Sequence, residues 1–286
     1  MLLLNGTPIE RFNFPNNETG IKLPEVKQLN LVTLYYESDQ DLFDLILLRQ
    51  HFKNIPGEYL GIDLTISYMP YSRMDRANKD YLFSLKSVCE LINWLKFDIV
   101  YVVEPHSDVT CALLDRSKPI WVIEHLLPEV FDNINFDPTC DYLVFPDAGA
   151  QKRYEKINQY NYYDKIGTYN ILVGIKERDF TSGHIEGYHM VTIEGAGLFR
   201  GRKALIVDDL CSGGRTFVEA SKALKSSEYG FEEVHLLVAH VENNIYNGEI
   251  FDHVSSVHGT TSLQRESQHE QLYLYALDAL LEKIES

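Results

Sequence analysis

Short apolar runs rich in β-branched residues alternate with longer stretches of 3.6-residue period along this whole chain, and that rhythm leaves few folds open. Leu31–Tyr36 is a strand candidate, and Asp41–Phe52 follows it as a helix carrying Leu42, Leu45, Ile46 and Arg49 on one stripe. Asp63–Tyr71 returns to strand, and Leu85, Val88, Cys89, Ile92 and Leu95 mark a second helix. Asp98–Val103 and Ile120–Ile123 are short runs suited to a sheet covered on both faces. The second half repeats the theme with strands at Tyr142–Phe145, Ile171–Ile175, Tyr188–Ile193, Ala204–Val207 and Val234–Val241. Helices are expected from Ala150, over Thr216–Leu224, and at the close over Glu270–Ile284. Strands separated by helices of this length need crossover connections, so the pattern predicts an α/β protein of mostly parallel sheets flanked by helices. With 286 residues two domains are expected, 1–130 and 131–286, divided where Pro, Asn and Asp cluster between Pro128 and Pro138.

Charge narrows the partners. Twenty-six basic against 42 acidic residues leave a net charge of −16, which argues against a general nucleic-acid or membrane-surface binder. A polyanionic substrate would need a local basic cluster or Mg²⁺ to work against that field. No apolar run approaches the roughly 18 residues of a transmembrane helix. The opening MLLLNGTPIERF lacks the basic region of a secretory signal, so a cytoplasmic protein is expected. Cys89, Cys111, Cys140 and Cys211 stand far apart with no CxxC pair, which suggests neither zinc nor a disulfide framework.

The chemistry concentrates in Lys203–Phe217, KALIVDDLCSGGRTF. An apolar strand ends in Asp208 and Asp209, and Ser212, Gly213 and Gly214 lead through Arg215 and Thr216 into a helix. Glycines let backbone N–H groups approach an anion, and the helix start adds the positive end of its dipole. Carboxylates at the C-terminal end of a strand lie where open α/β sheets hold ligands, and they can accept from sugar hydroxyls. The combination suits a ribose phosphate; the plain alternative is an acidic strand end followed by a glycine turn.

The segment resembles the ribose-phosphate loop of type I phosphoribosyltransferases and of ribose-phosphate diphosphokinases, DDxxxTGGT. Both Asp residues and Thr216 match, the glycines are displaced by one place, and Arg215 stands where glycine is usual. Four more segments, in the same order along nearly the whole chain, resemble the diphosphokinases specifically. NFPNNET (Asn13–Thr19) is similar to FSNQET, PYSRMDR (Pro70–Arg76) to PYARQDK, FPDAGAQKR (Phe145–Arg153) to SPDAGGAKR, and IKER (Ile175–Arg178) to HKER. Departures occur at Glu104-Pro105-His106-Ser107, which keeps only the histidine of DLHA, and at Met74, where glutamine is usual.

The resemblance implies two type I phosphoribosyltransferase-like domains and Mg²⁺-dependent transfer of a diphosphoryl group from ATP, as co-substrate, to ribose 5-phosphate. It implies catalytic roles for Lys176 and Arg178, read here as lying in a polar loop past a strand. Asn16, Glu18, Arg73, Asp75 and His106 would bind ATP, with Asn16 and Glu18 reaching a neighbouring subunit's site in a homo-oligomer. His106 and Asp147 would stand near Mg²⁺. Asp208, Asp209, Ser212, Gly213, Gly214, Arg215 and Thr216 would hold the ribose phosphate. Each has an ordinary alternative as surface charge or turn residue; Lys152 and Arg153 read equally well as solvated helix charges, and His240 as packing. The displaced glycines and Arg215 leave a second acceptor open, ADP-ribose, whose 5′-phosphate is substituted and whose product would serve NAD synthesis. A phosphoribosyltransferase and a silent regulatory subunit are the remaining readings.

Overall fold

The computed structural model describes residues 1–55, 61–77, 79–155, 169–178, 185–194 and 198–285. The chain packs as two compact units, Met1–Trp121 and Val122–Ser286. The first contains β1 (Leu2–Leu4), β2 (Thr7–Pro8), β3 (Glu10–Asn13), β4 (Thr19–Lys22), β5 (Leu29–Leu34), α1 (Asp39–Asn54), β6 (Gly61–Ile66), α2 (Ser84–Leu95), β7 (Val100–Val103), α3 (Asp108–Leu113) and β8 (Ser117–Ile120). Among the described residues its sheet runs β2-β1-β5-β6-β7-β8. β5 to β8 are parallel, and β1 is antiparallel to both neighbours. β3 and β4 form a separate antiparallel hairpin. Leu45 and Leu48 of α1 and Leu85 and Ile92 of α2 are buried with Val32, Leu34, Leu64 and Ile66 of the sheet in one core.

The second unit contains α4 (Val122–Ile134), β9 (Tyr142–Phe145), α5 (Ala148–Tyr154), β10 (Asn170–Arg178), β11 (Ile185–Glu194), β12 (Lys203–Cys211), α6 (Arg215–Lys225), β13 (Glu233–Val241), α7 (Ile250–His253), β14 (Ser256–Thr260), β15 (Leu272–Tyr275) and α8 (Leu277–Glu285). Its sheet runs β11-β10-β9-β12-β13-β14-β15. Among the described residues only the β10–β11 pair is antiparallel in that order. Ile206, Leu236 and Val238 of the sheet pack with Phe217 and Leu224 of α6 in the second core.

Three expectations are corrected. The division falls at Trp121/Val122, ahead of 130/131: Pro128 lies inside α4, which buries Val122, Leu126, Val130 and Ile134. A continuous apolar face outweighed the Pro-Asn-Asp punctuation. The closing helix does not begin at Glu270, because Leu272–Tyr275 is the edge strand β15, with Val257 opposite Leu272 and His258 opposite Tyr273. Leu272 and Leu280 match a helical period by coincidence, whereas alternation in LYLY and the edge of β14 decide the strand. Ile120–Ile123 is not one strand either, since β8 ends at Ile120 and α4 starts at Val122. Among the described residues no helix is long and apolar enough to cross a membrane.

β14 shows no unbroken apolar run in the sequence because it carries buried polar side chains, Ser256 and His258. They are satisfied laterally. His235 Nε2 lies 3.0 Å from Glu233, His235 Nδ1 2.7 Å from Ser256 Oγ, Ser256 Oγ 2.8 Å from His258 Nε2, and His258 Nδ1 3.1 Å from Tyr275 Oη. Asn133 Nδ2 donates to Tyr275 Oη at 2.7 Å. Burial lowers the pKa of both imidazoles, that of His258 from 6.5 to about 4 with help from His235. The unfolded chain therefore binds protons that the native one refuses. The stability contributed by keeping these imidazoles neutral is fully present above the unfolded pKa of 6.5 and is lost as pH falls toward 4, ~3 kcal/mol for His258 alone. Urea midpoints measured between pH 7 and 4.5 should show this slope, and His258→Gln should flatten it; an equal slope in that variant rejects the assignment.

Candidate functional site at the end of the second sheet

β12 runs farther than its apolar letters, to Cys211, so Asp208 and Asp209 lie within the strand near its C-terminal end. Parallel pairing with β9 on one side and β13 on the other aligns three strand ends there. Arg153 of α5 joins the two carboxylates: one nitrogen, Nη1, donates to Asp208 Oδ1 at 2.9 Å and to Asp209 Oδ1 at 2.8 Å. The three side chains are 11%, 16% and 5% exposed, in the order Arg153, Asp208, Asp209. Burial, then the neighbouring Asp209 charge, hold Asp208 well above the usual carboxylate range, while Arg153 opposes that rise. Such a pair can retain one proton between two carboxyl groups. One group then donates and its neighbour accepts, which matches adjacent hydroxyls on a sugar ring.

The loop beyond the strand turns sharply. Gly214 sits in the left-handed region, φ +75°, as the N-cap of α6, and its carbonyl accepts from the Phe217 and Val218 N–H groups, both at 2.9 Å. Asn244 Nδ2 donates to Ser212 Oγ at 3.2 Å, and a Cβ at Gly248 would collide with the Gly213 carbonyl. The loop is thus backed closely by residues 244–250. The N–H groups of Arg215 and Thr216, at the very start of α6, have no acceptor one turn earlier, as at every helix start, and such an end favours an anion. A Cβ on Gly214 would lie 2.8 Å from Ile250 Cβ. Strain at positive φ and that overlap together predict a loss of about 2–3 kcal/mol for Gly214→Ala. Gly213→Ala meets only the movable Asn244 amide at 3.1 Å and should cost under about 1 kcal/mol. Equal urea midpoints for the two variants contradict this account.

Asp147 caps α5, with Oδ1 accepting from Gly149 N at 3.0 Å and Ala150 N at 3.1 Å. One carboxylate oxygen is therefore committed to the helix start. Tyr188 of β11 donates its hydroxyl to Pro146 O at 2.8 Å, and burial together with Asp147 and Asp208 raises its pKa. Lys176 and Arg178 belong to strand β10, not to a loop: Lys176 is opposite Tyr188 and Arg178 opposite Ile185 in the hairpin with β11. The expected strand Ile171–Ile175 was ended by polar letters, yet backbone pairing with β11 carries it on. β10 pairs with β9 only up to Val173, opposite Phe145. At ~3.3 Å per residue, its later backbone runs roughly 10–16 Å past that point as a two-stranded ribbon.

The remaining predicted residues lie in the first unit. Asn16 and Glu18 occupy the tip of the β3–β4 hairpin, where Asn16 Oδ1 accepts from Glu18 N at 3.2 Å. Arg11 fastens this hairpin to α1 by donating to Asp44 at 2.7 Å and Asp41 at 2.9 Å. Arg73 and Asp75 follow β6 in a turn held by Met74 N to Tyr71 O at 2.8 Å, with Tyr71 at φ +60°. Asp39, in the first turn of α1, accepts from the Tyr71 and Tyr36 hydroxyls, each at 2.7 Å. Both expected ATP segments are therefore anchored to one helix start. His106 lies between β7 and α3, two residues after buried Glu104, which has φ +43°. Among the described residues no group of three or more His, Cys, Asp or Glu side chains is arranged to hold a metal ion.

Arg153 is the functional candidate that sequence reasoning left undecided, and strand order is the signal that identifies it, since β9 beside β12 sets α5 against the acidic pair. His240 packs, with Nδ1 2.8 Å from Ser262 Oγ.

No family model matches the chain. The ribose-phosphate pyrophosphokinase of Saccharolobus solfataricus is 26% identical over 243 residues, covering 80% of this chain and 77% of that protein. The enzyme of that name from Sulfolobus acidocaldarius is 28% identical over 220 residues, 75% of this chain and 70% of its own. Among solved structures, the phosphoribosylpyrophosphate synthetase of Mycobacterium smegmatis matches with a TM-score of 0.70 at 17% identity, covering 97% of this chain and 88% of that one. The fold is that of this synthetase.

Proposed function

We propose, from the kinship of this chain with the ribose-phosphate pyrophosphokinases, that it transfers the β,γ-diphosphoryl group of ATP to the anomeric hydroxyl of ribose 5-phosphate. The products are phosphoribosyl diphosphate and AMP. The observation that carries this reading is the Arg153-bridged pair Asp208–Asp209 set beside a glycine loop at a helix start.

The ribose 2- and 3-hydroxyls meet Asp208 and Asp209. The 5-phosphate accepts from the N–H groups of residues 212–216, where the helix dipole favours an anion. Arg73, on the turn after β6, meets the ATP polyphosphate. Lys176 and Arg178 stabilise charge on the migrating group, the main contribution a protein makes to phosphoryl-type transfer. Mg²⁺, when bound, neutralises polyphosphate charge. The hard carboxylate oxygen of Asp147 that is not committed to the helix start would suit it better than the imidazole of His106, and an ion carried largely by substrate phosphates and water needs no three-residue cage. Homo-oligomerisation, with Asn16 and Glu18 serving a neighbour's ATP, belongs to the same proposal.

A second acceptor, ADP-ribose, rests on one observation: Arg215, in place of glycine, is the exposed first residue of α6. An arginine there can meet a substituted 5′-phosphate. Incubation with ATP, Mg²⁺ and each sugar, followed by AMP assay, tests both readings. AMP with ribose 5-phosphate supports the first, AMP only with ADP-ribose the second, and none with either rejects the diphosphokinase. Arg215→Gly should shift the kcat/KM ratio toward ribose 5-phosphate if the arginine serves the longer acceptor. An unchanged ratio removes that reading.

A further inference from the structure

The strands that carry the acidic pair and its neighbours also have a second apparatus at their opposite ends. A cavity of about 420 Å³ opens there, lined by Lys203 at the start of β12, Glu233 and His235 of β13, Ser256 of β14, Asn133 and Tyr273. The hydrogen-bond chain described above borders it. Its direction is fixed by two facts. Glu233 is a half-exposed carboxylate and can only accept, so neutral His235 carries its proton on Nε2 and presents an unprotonated Nδ1 to Ser256. The serine has one proton and gives it to His235. It therefore accepts from His258 Nε2–H, and His258 Nδ1 accepts from Tyr275.

The outcome is a hydroxyl bonded to a base that a carboxylate orients, the arrangement that activates serine in covalent catalysis. His258 Nε2–H lies 2.8 Å from the same oxygen and donates to it, which fixes the hydroxyl toward His235.

We propose that Ser256 is a nucleophile and that this cavity is a second, hydrolytic site taking small carboxylic esters. Ser256 Oγ attacks the ester carbon, its proton passes to His235 Nδ1, and the C–O bond to the alcohol breaks as His235 returns that proton to the leaving oxygen. Water then attacks the acyl-serine, giving its proton to His235, and the carboxylic acid leaves as Oγ is reprotonated. The site shares no residue with the diphosphokinase reading and stands without it.

The test uses the full-length protein, a fluorophosphonate probe and p-nitrophenyl acetate. Peptide mapping should find the phosphonyl adduct on Ser256. Nitrophenolate release should vanish in Ser256→Ala and fall on the order of tenfold or more in Glu233→Gln, while Ser255→Ala reacts as the wild type does. AMP release from ATP should be unchanged in all three. Wild-type protein of intact fold that carries no adduct on Ser256 overturns the proposal, whatever the variants do. So does labelling of Glu233→Gln at the wild-type rate.

Discussion

Arg153→Ala is expected to cost about 3–5 kcal/mol of stability at pH 8, because it leaves two buried carboxylates without the cation that bridges them. The cost has a signature. Without Arg153 the folded pair takes up protons more readily than the unfolded chain, whose Asp pKa is near 3.8. Raised carboxyl pKa values favour folding as pH falls, so the deficit relative to wild type should shrink toward pH 5. Arg153→Lys should recover only part, since one ammonium replaces a planar guanidinium that meets both acids through Nη1. Sugar KM should rise in both variants with ATP affinity little changed. Urea denaturation at the two pH values decides the point: a loss below about 1 kcal/mol, or one independent of pH, contradicts the bridge.

Lys176→Ala and Arg178→Ala should each lower kcat on the order of 10²–10³-fold while moving ATP affinity only a few-fold. Charges that meet the transition state more strongly than the bound substrate act on turnover. Their place in β10 sharpens the expectation: a paired ribbon holds their backbone in register with Tyr188 and Ile185, whereas a loop would have to be ordered in every cycle. Proline at Ile175 should reduce kcat for the same reason, by removing an N–H from the strand. Steady-state rates beside equilibrium ATP titrations separate the terms; a fall in affinity as large as the fall in kcat would assign both side chains to ground-state binding.

What could be read from the letters was whatever local chemistry decides. Asp208, Asp209 and the Ser212–Thr216 loop lie on one strand, one turn and one helix start, so apolar residues, small residues and polarity announced them in order. Arg153 is distant from Asp208 in sequence, and AGAQKRY reads as a solvated helix. Only the pairing of β9 with β12 brings it there. The polar letters after Ile175 read as a loop carrying Lys176 and Arg178, while the hydrogen bonds that extend β10 come from a partner strand. β14 was missed for the converse reason. Its Ser256 and His258 look like surface residues until their partners on β13 and β15 are known, and those belong to the fold, not to the segment.

A ligand held beside Asp208 and Asp209 at one end of β12, and neutral His258 buried near the other end of the same sheet, would draw on the same folding free energy. A ligand that binds only native protein at a hundred times its dissociation constant adds ~2.7 kcal/mol, close to what protonation of the unfolded His258 removes. On the proposed function, protein saturated with sugar phosphate would outlast ligand-free protein when its surroundings acidify.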